Sequence, residues 1–219
     1  MHKELQVEKF FEGSVRVAMY AILPLLGFMA WVVIFPLVVY GGMMTDINNA
    51  QGITQTLLVF SFPMLLFFVL IPVLLECRKK VSMKELGLEF QVNKRNIIFL
   101  CANILIVLYM FGRLLAGGNP FQMVLPMLLQ LSAIGISEEI ICRCILYHET
   151  KQILHKDLWA LLITSVIFGF LFHSGDGDMA NLMVRVPLGL ILGSVRWYTG
   201  NVYNSILMHI WYNTLMLVL

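Results

Sequence analysis

The sequence predicts an all-α fold, a polytopic transmembrane helix bundle of about seven spans, bracketed by six and eight. Three observations carry that reading. Of 219 residues, 59% are hydrophobic and 13% charged, whereas soluble domains carry about 25% charged residues. The apolar residues fall in runs of about twenty, the length that crosses about 30 Å of hydrocarbon. The Lys and Arg residues alternate from one inter-run segment to the next.

Residues 1–17 read as an N-terminal cytoplasmic or interfacial segment: either a short amphipathic helix that dips Phe10 and Phe11 into the headgroups, or a solvated tail. Residues 18–219 read as a single transmembrane domain. Its spans are placed at 18–40 (with Pro24 and Pro36), 53–75 (with Pro63 and Pro72), 97–115, 121–147, 158–173, 181–198 and 202–219. Asp157 is placed to cap the fifth, which is short. Lys3, Lys9 and Arg16 precede the first span, and 41–52 has no Lys or Arg. The stretch 76–96 is rich in both, 113–120 has at most Arg113, and Lys151 and Lys156 come next. The segment 174–178 has none, and the last turn has Arg196. This alternation predicts a cytoplasmic N-terminus in an integral membrane protein.

The net charge of +2 gives no reason to expect a nucleic-acid partner. The 4 cysteines, Cys77, Cys101, Cys142 and Cys144, show neither a disulfide framework nor a CxxC pair and read as small apolar packing residues. Neither a cleavable leader nor a terminal CaaX box is expected, and no internal repeat is evident.

Polar residues inside the apolar runs point to function. The stretch SEEIICRCIL places Glu138, Glu139 and Arg143 in a span. Each ionisable residue at a helix centre costs roughly 2.5–3.5 kcal/mol unless it is offset. Glu139 and Arg143 are four apart and can pair. Glu138, rotated by about 100°, is free to face a polar cavity. His173 ends the fifth span, and His209 and Asn213 share a face of the last. Brought together in a water-filled pocket, Glu138, His173, His209 and Asn213 supply a general base for water, an imidazole to share or relay the proton, and donors for an oxyanion. These are the parts needed to hydrolyse a peptide bond. Ser137 and Ser205 lack a lysine or histidine at a suitable spacing, so no nucleophile is apparent, and there is no HExxH zinc motif.

These residues resemble the CaaX-processing and bacteriocin-processing membrane proteases, the CPBP or Abi/Rce1-like family. The family's Glu-Glu-x-x-x-Arg stands as Glu138-Glu139-Ile-Ile-Cys-Arg143, and its His-x-x-x-Asn/Asp as His209-Ile-Trp-Tyr-Asn213. The stretch PLGLILGSVRWYTGNVYNSILMH is similar to the family's linking segment. The resemblance covers about 125–215, with the core drawn at about 121–219. One motif departs: where the family has Phe-x-x-x-His, Gly169 stands four before His173, with phenylalanines at 168, 170 and 172.

The resemblance implies a glutamate-type intramembrane endopeptidase, with Glu138 and His173 activating water, His209 and Asn213 stabilising the oxyanion, and Glu139 and Arg143 supporting. No cofactor is expected. A metal is the alternative for a Glu/His/His/Asn set, although no ligand pair has a recognised zinc spacing. The expected partners are the lipid bilayer and a peptide or membrane-protein substrate, such as a peptide pheromone, bacteriocin or leader in a prokaryotic cell membrane. Oligomeric state is left open. Two other classes stay open: a non-proteolytic scaffold or bacteriocin-immunity protein, and a transporter with proline-broken helices.

Overall fold

The computed structural model describes residues 2–44, 50, 52–117, 121–173, 175 and 177–218, and among them there is no strand. The helices are α1 (His2–Tyr40), α2 (Ile53–Arg78), the short α3 (Met83–Leu86), α4 (Lys94–Ala116), α5 (121–154), α6 (Asp157–Phe172), α7 (Asp178–Thr199) and α8 (Tyr203–Val218). Among the described residues, five helices are long and apolar enough to cross a membrane, within α1, α2, α4, α5 and α7. The apolar α6 is shorter, and α8 has 16 residues. The all-helical fold of about seven spans stands.

The boundaries differ from the sequence reading in three places. The tail and the first span are one continuous helix, with Pro24 and Pro36 inside it. No glycine-proline break separates 1–17 from the first span, and Gly13 lies close against Ile153 of α5. Asp157 is not the cap of α6. Lys156 holds that position, and Asp157 instead takes ion-pair and hydrogen-bond partners in Lys151 and the Tyr147 hydroxyl. The loop before α4 contains α3, closed by a reciprocal capping box between Ser82 and Glu85 and by left-handed Gly87.

α5 is the central helix. From Glu139 to Tyr147 it is buried on every side, as expected of a helix surrounded by others rather than by lipid. α8 packs against α4 and α5, α7 against α6, and α1 and α2 against α5. Segments from one end of the bundle are tied together there. Arg16 of α1 and Lys79, just past α2, both reach Glu149 of α5, at 2.9 and 2.7 Å. Lys79 also pairs with buried Glu76 at 2.7 Å. Burial works against the Lys79 charge, but the bonds to Glu149, Glu76 and Tyr20 outweigh it and raise its pKa above the ordinary lysine value. Gly87 and Leu88 of the α3 loop bond to Val202 and Tyr203 at the start of α8. This is the basic end of the bundle.

Several helices widen locally into π-helical turns, which are unusual and often mark functional sites. Those at Thr56–Ser61, Leu66–Leu70 and Asn181–Arg185 each end two residues before a proline, namely Pro63, Pro72 and Pro187. A proline ring clashes with the carbonyl four residues back, and a wide turn relieves that clash. The turns at Ile140–Leu146 and Phe168–Phe172 have no such proline. They adjoin the glutamate pair and His173.

Candidate active site

Glu138 and Glu139 lie at the last two positions before the wide turn of α5 and project differently. Glu139 is fully buried. Its Oε2 stands 3.3 Å from Arg143 Nε, and its Oε1 stands 3.0 Å from His209 Nδ1. One carboxylate therefore joins α5 to α8. The Arg143 guanidinium also lies over the Phe168 ring, 5.1 Å from its centre.

Glu138 faces the histidines. Its Oε2 is 3.7 Å from His209 Nε2 and 4.0 Å from His173 Nε2, both beyond hydrogen-bond distance. His173 sits just past α6, with Nδ1 3.0 Å from the Phe168 carbonyl. A carbonyl only accepts, so Nδ1 carries the proton. By the same reasoning His209 Nδ1 donates to Glu139. Both rings thus turn Nε2 towards one Glu138 oxygen. The His173 carbonyl accepts from Asn181 Nδ2 at 3.1 Å, which fixes the end of α6 to α7.

Asn213 is half-buried on α8, about 6 Å further along the axis than His209 at 1.5 Å per residue. The structure therefore gathers Glu138, His173 and His209 at one point, with Asn213 one turn away. Among the described residues no group of three or more His, Cys, Asp or Glu side chains is arranged to hold a metal. Ser205 Oγ donates to the Leu192 carbonyl at 2.8 Å, and buried Ser137 Oγ has no side-chain or backbone partner.

The departure at Gly169 has a structural account. The turn from Phe168 to Phe172 is wide, so residues five apart stand where residues four apart stand in an α-helix. Phe168 therefore takes the place beside His173, with ring centres 4.7 Å apart, and also meets His209 edge-on at 5.7 Å. Gly169 is needed for a different reason: a Cβ there would lie 2.7 Å from Val186 Cγ2 of α7.

A cavity of about 540 Å³ leads to Glu138 from between α1, α2 and α5. The expectation that Glu138 faces a polar cavity needs correction here. Phe28 and Val32 of α1, Phe60 and Phe68 of α2, and Ile134 and Phe172 make its wall largely apolar. Gln130 is the other polar residue that lines it, and its Oε1 is held by Ser61 Oγ at 2.6 Å. Of the SGDGD segment beside His173, Ser174 and Asp176 lie outside the described residues.

Residues 120–215, which hold the glutamates, Arg143, the two histidines and Asn213 but not the α1 and α2 wall of the cavity, match the family model described as type II CAAX prenyl endopeptidase Rce1-like. This segment is Rce1-like. The match indicates a membrane peptidase. The Rce1-like segment contains Glu138, Glu139, Arg143, His173, His209 and Asn213, together with Phe168 and Asn181. No curated protein and no solved structure matches the chain. Phe168 and Asn181 did not stand out in the sequence: the first needs the wide-turn register, and the second reads as an ordinary helix-start asparagine.

Proposed function

We propose that the protein is a glutamate-type intramembrane endopeptidase acting on a short peptide or a membrane-associated precursor, in a prokaryotic cell membrane and with its N-terminus in the cytoplasm. The observation that supports this most is the arrangement of two imidazole Nε2 atoms around one glutamate oxygen at the end of an apolar cavity. The gaps of 3.7 and 4.0 Å are too long for a direct bond and suit a water molecule that donates to Glu138 and to His173 Nε2.

Glu138 takes a proton from that water as its oxygen bonds to the substrate carbonyl carbon. The carbonyl oxygen becomes an oxyanion. His209, its Nδ1–H held by Glu139, donates from Nε2 in the imidazolium form, and Asn213 adds an amide donor. Charge balance fits this assignment. Arg143 offsets Glu139, and one imidazolium offsets Glu138, so the buried group is neutral as a whole. The C–N bond then breaks, and Glu138 returns its proton to the leaving nitrogen. The apolar wall lowers the local dielectric and strengthens each of these interactions. No step calls on a metal.

The test compares membranes and secreted peptides from cells carrying wild-type protein, Glu138→Gln at matched abundance, or no protein. New peptide termini are mapped by mass spectrometry. Termini dependent on wild type are expected, with turnover lowered by about 10²–10⁴-fold in Glu138→Gln. Unchanged termini, together with full rescue of the null strain by Glu138→Gln, would leave a scaffold or immunity protein. Cleavage by purified protein is expected to persist in excess chelator. Loss on chelation and recovery on adding one divalent metal would overturn the metal-free mechanism.

A further inference from the structure

We infer that the groove between α4 and α7 at the basic end binds an anionic phospholipid, with its phosphate held by Lys94 and Arg95 and an acyl chain lying in the apolar cleft beneath. A cavity of about 430 Å³ lies between the start of α4 and the end of α7. Its charged lining residues are Lys94 and Arg95, and no carboxylate lines it. Both cations are exposed. The Arg95 guanidinium rests over the Tyr198 ring at 5.1 Å, which orients it without neutralising it. Trp197 and Tyr198, 60% and 48% exposed, lie at the same level, where such amphipathic rings sit beside headgroups.

A second cavity, of about 380 Å³, shares Tyr198 with the first and continues deeper along the same helices. Phe99, Leu190, Ile191 and Val195 line it. Leu190 is about 14 Å further from the basic end than Thr199, at 1.5 Å per residue. A cationic pocket at the interface above an apolar cleft matches the two parts of a phospholipid. A free anion would use only the upper part, and a neutral lipid only the lower. Basic pockets between membrane helices take anionic headgroups for this reason. No residue of this groove takes part in the proposed hydrolysis.

The full chain, purified in neutral detergent, is titrated with phosphatidylglycerol or phosphatidylcholine of the same acyl composition, and retained lipid is counted by native mass spectrometry. Wild type is expected to retain phosphatidylglycerol about tenfold better, since its headgroup has a net negative charge, whereas the choline of phosphatidylcholine offsets the phosphate and is repelled by Lys94 and Arg95. Lys94→Gln/Arg95→Gln should bring the two lipids to parity. Ser194→Trp, which fills the apolar cleft and leaves the cations in place, should also lower phosphatidylglycerol retention. All three side chains are exposed, and thermal melting checks that the variants fold. Equal retention of both lipids by wild type, or unchanged preference in the double variant, would overturn the site. A thermal shift from inorganic phosphate as large as that from phosphatidylglycerol, untouched by Ser194→Trp, would overturn the lipid assignment in favour of an anion site.

Discussion

Glu139 is the most constrained residue of the site, because it answers to a cation on its own helix and to an imidazole on another. Removing Arg143 alone leaves a fully buried carboxylate without its offsetting charge, which typically costs about 3–5 kcal/mol. Arg143→Met is therefore expected to lower the melting temperature sharply in detergent. Arg143→Met combined with Glu139→Gln should recover much of the loss while activity stays low, since His209 no longer has a carboxylate behind it. A double variant no more stable than the single one would show that the pair does not act as a unit. At this scale the sequence was informative wherever side-chain chemistry and spacing sufficed. Two glutamates and an arginine in an apolar run, or a histidine four before an asparagine, are visible without coordinates. The sharing of Glu139 between Arg143 and His209 was not visible, because it depends on how α5 and α8 face each other. Gln130 was hidden for a related reason: a lone glutamine in a span does not reveal which cavity it lines.

The wide turns are where helix-level reasoning met its limit. Spacing arguments assume 3.6 residues per turn, and the Phe168–Phe172 turn does not obey that count. Phe168, five before His173, could not be matched to its role until that turn was seen. Deleting Phe170, which is 39% exposed and contributes little to the core, would return the turn to α-helical spacing with Phe168 four before the histidine. The shortened protein is expected to fold and to keep His173 beside Glu138, measured as retained melting temperature and retained cleavage. Complete loss of both would mean that the extra residue itself is required. Gly169→Ala, in contrast, pushes a methyl into Val186, and overpacking of this kind costs about 1–3 kcal/mol. The prolines at 63, 72 and 187 were legible as irregularities in otherwise regular spans. Their effect, a wide turn just upstream, comes from the lost donor and the ring clash.

Across the whole molecule, the all-helical fold and the approximate number of spans were readable because each run of apolar residues has only one way to satisfy its backbone in lipid, whereas the short α3 was not. The continuity of α1 was not, since the charged composition of its first turns says nothing about whether the helix stops. Its N-terminal turns are held by the Arg16–Glu149–Lys79–Glu76 cluster, which ties α1 and α2 to α5. Lys79→Met would leave Glu76 and Glu149 buried without their shared cation, and a loss of about 3 kcal/mol is expected, less for the part of Lys79 that solvent screens. The sign of the Lys79 shift sets the pH dependence. A raised folded pKa contributes stability that is complete below the free-lysine value of 10.5 and fades as pH climbs above it. Wild type should therefore lose melting temperature in strong alkali faster than Lys79→Met does. The cavity has a further consequence. The groups proposed to carry out the chemistry all lie within 120–215, whereas Phe28, Val32, Phe60 and Phe68 of its wall come from α1 and α2. On the proposed function, the reacting groups are thus confined to one part of the chain, while much of the wall that leads to them, though not all of it, belongs to the other. Exchange or drift in α1 and α2 would, on that function, reshape the wall without disturbing a single reacting atom.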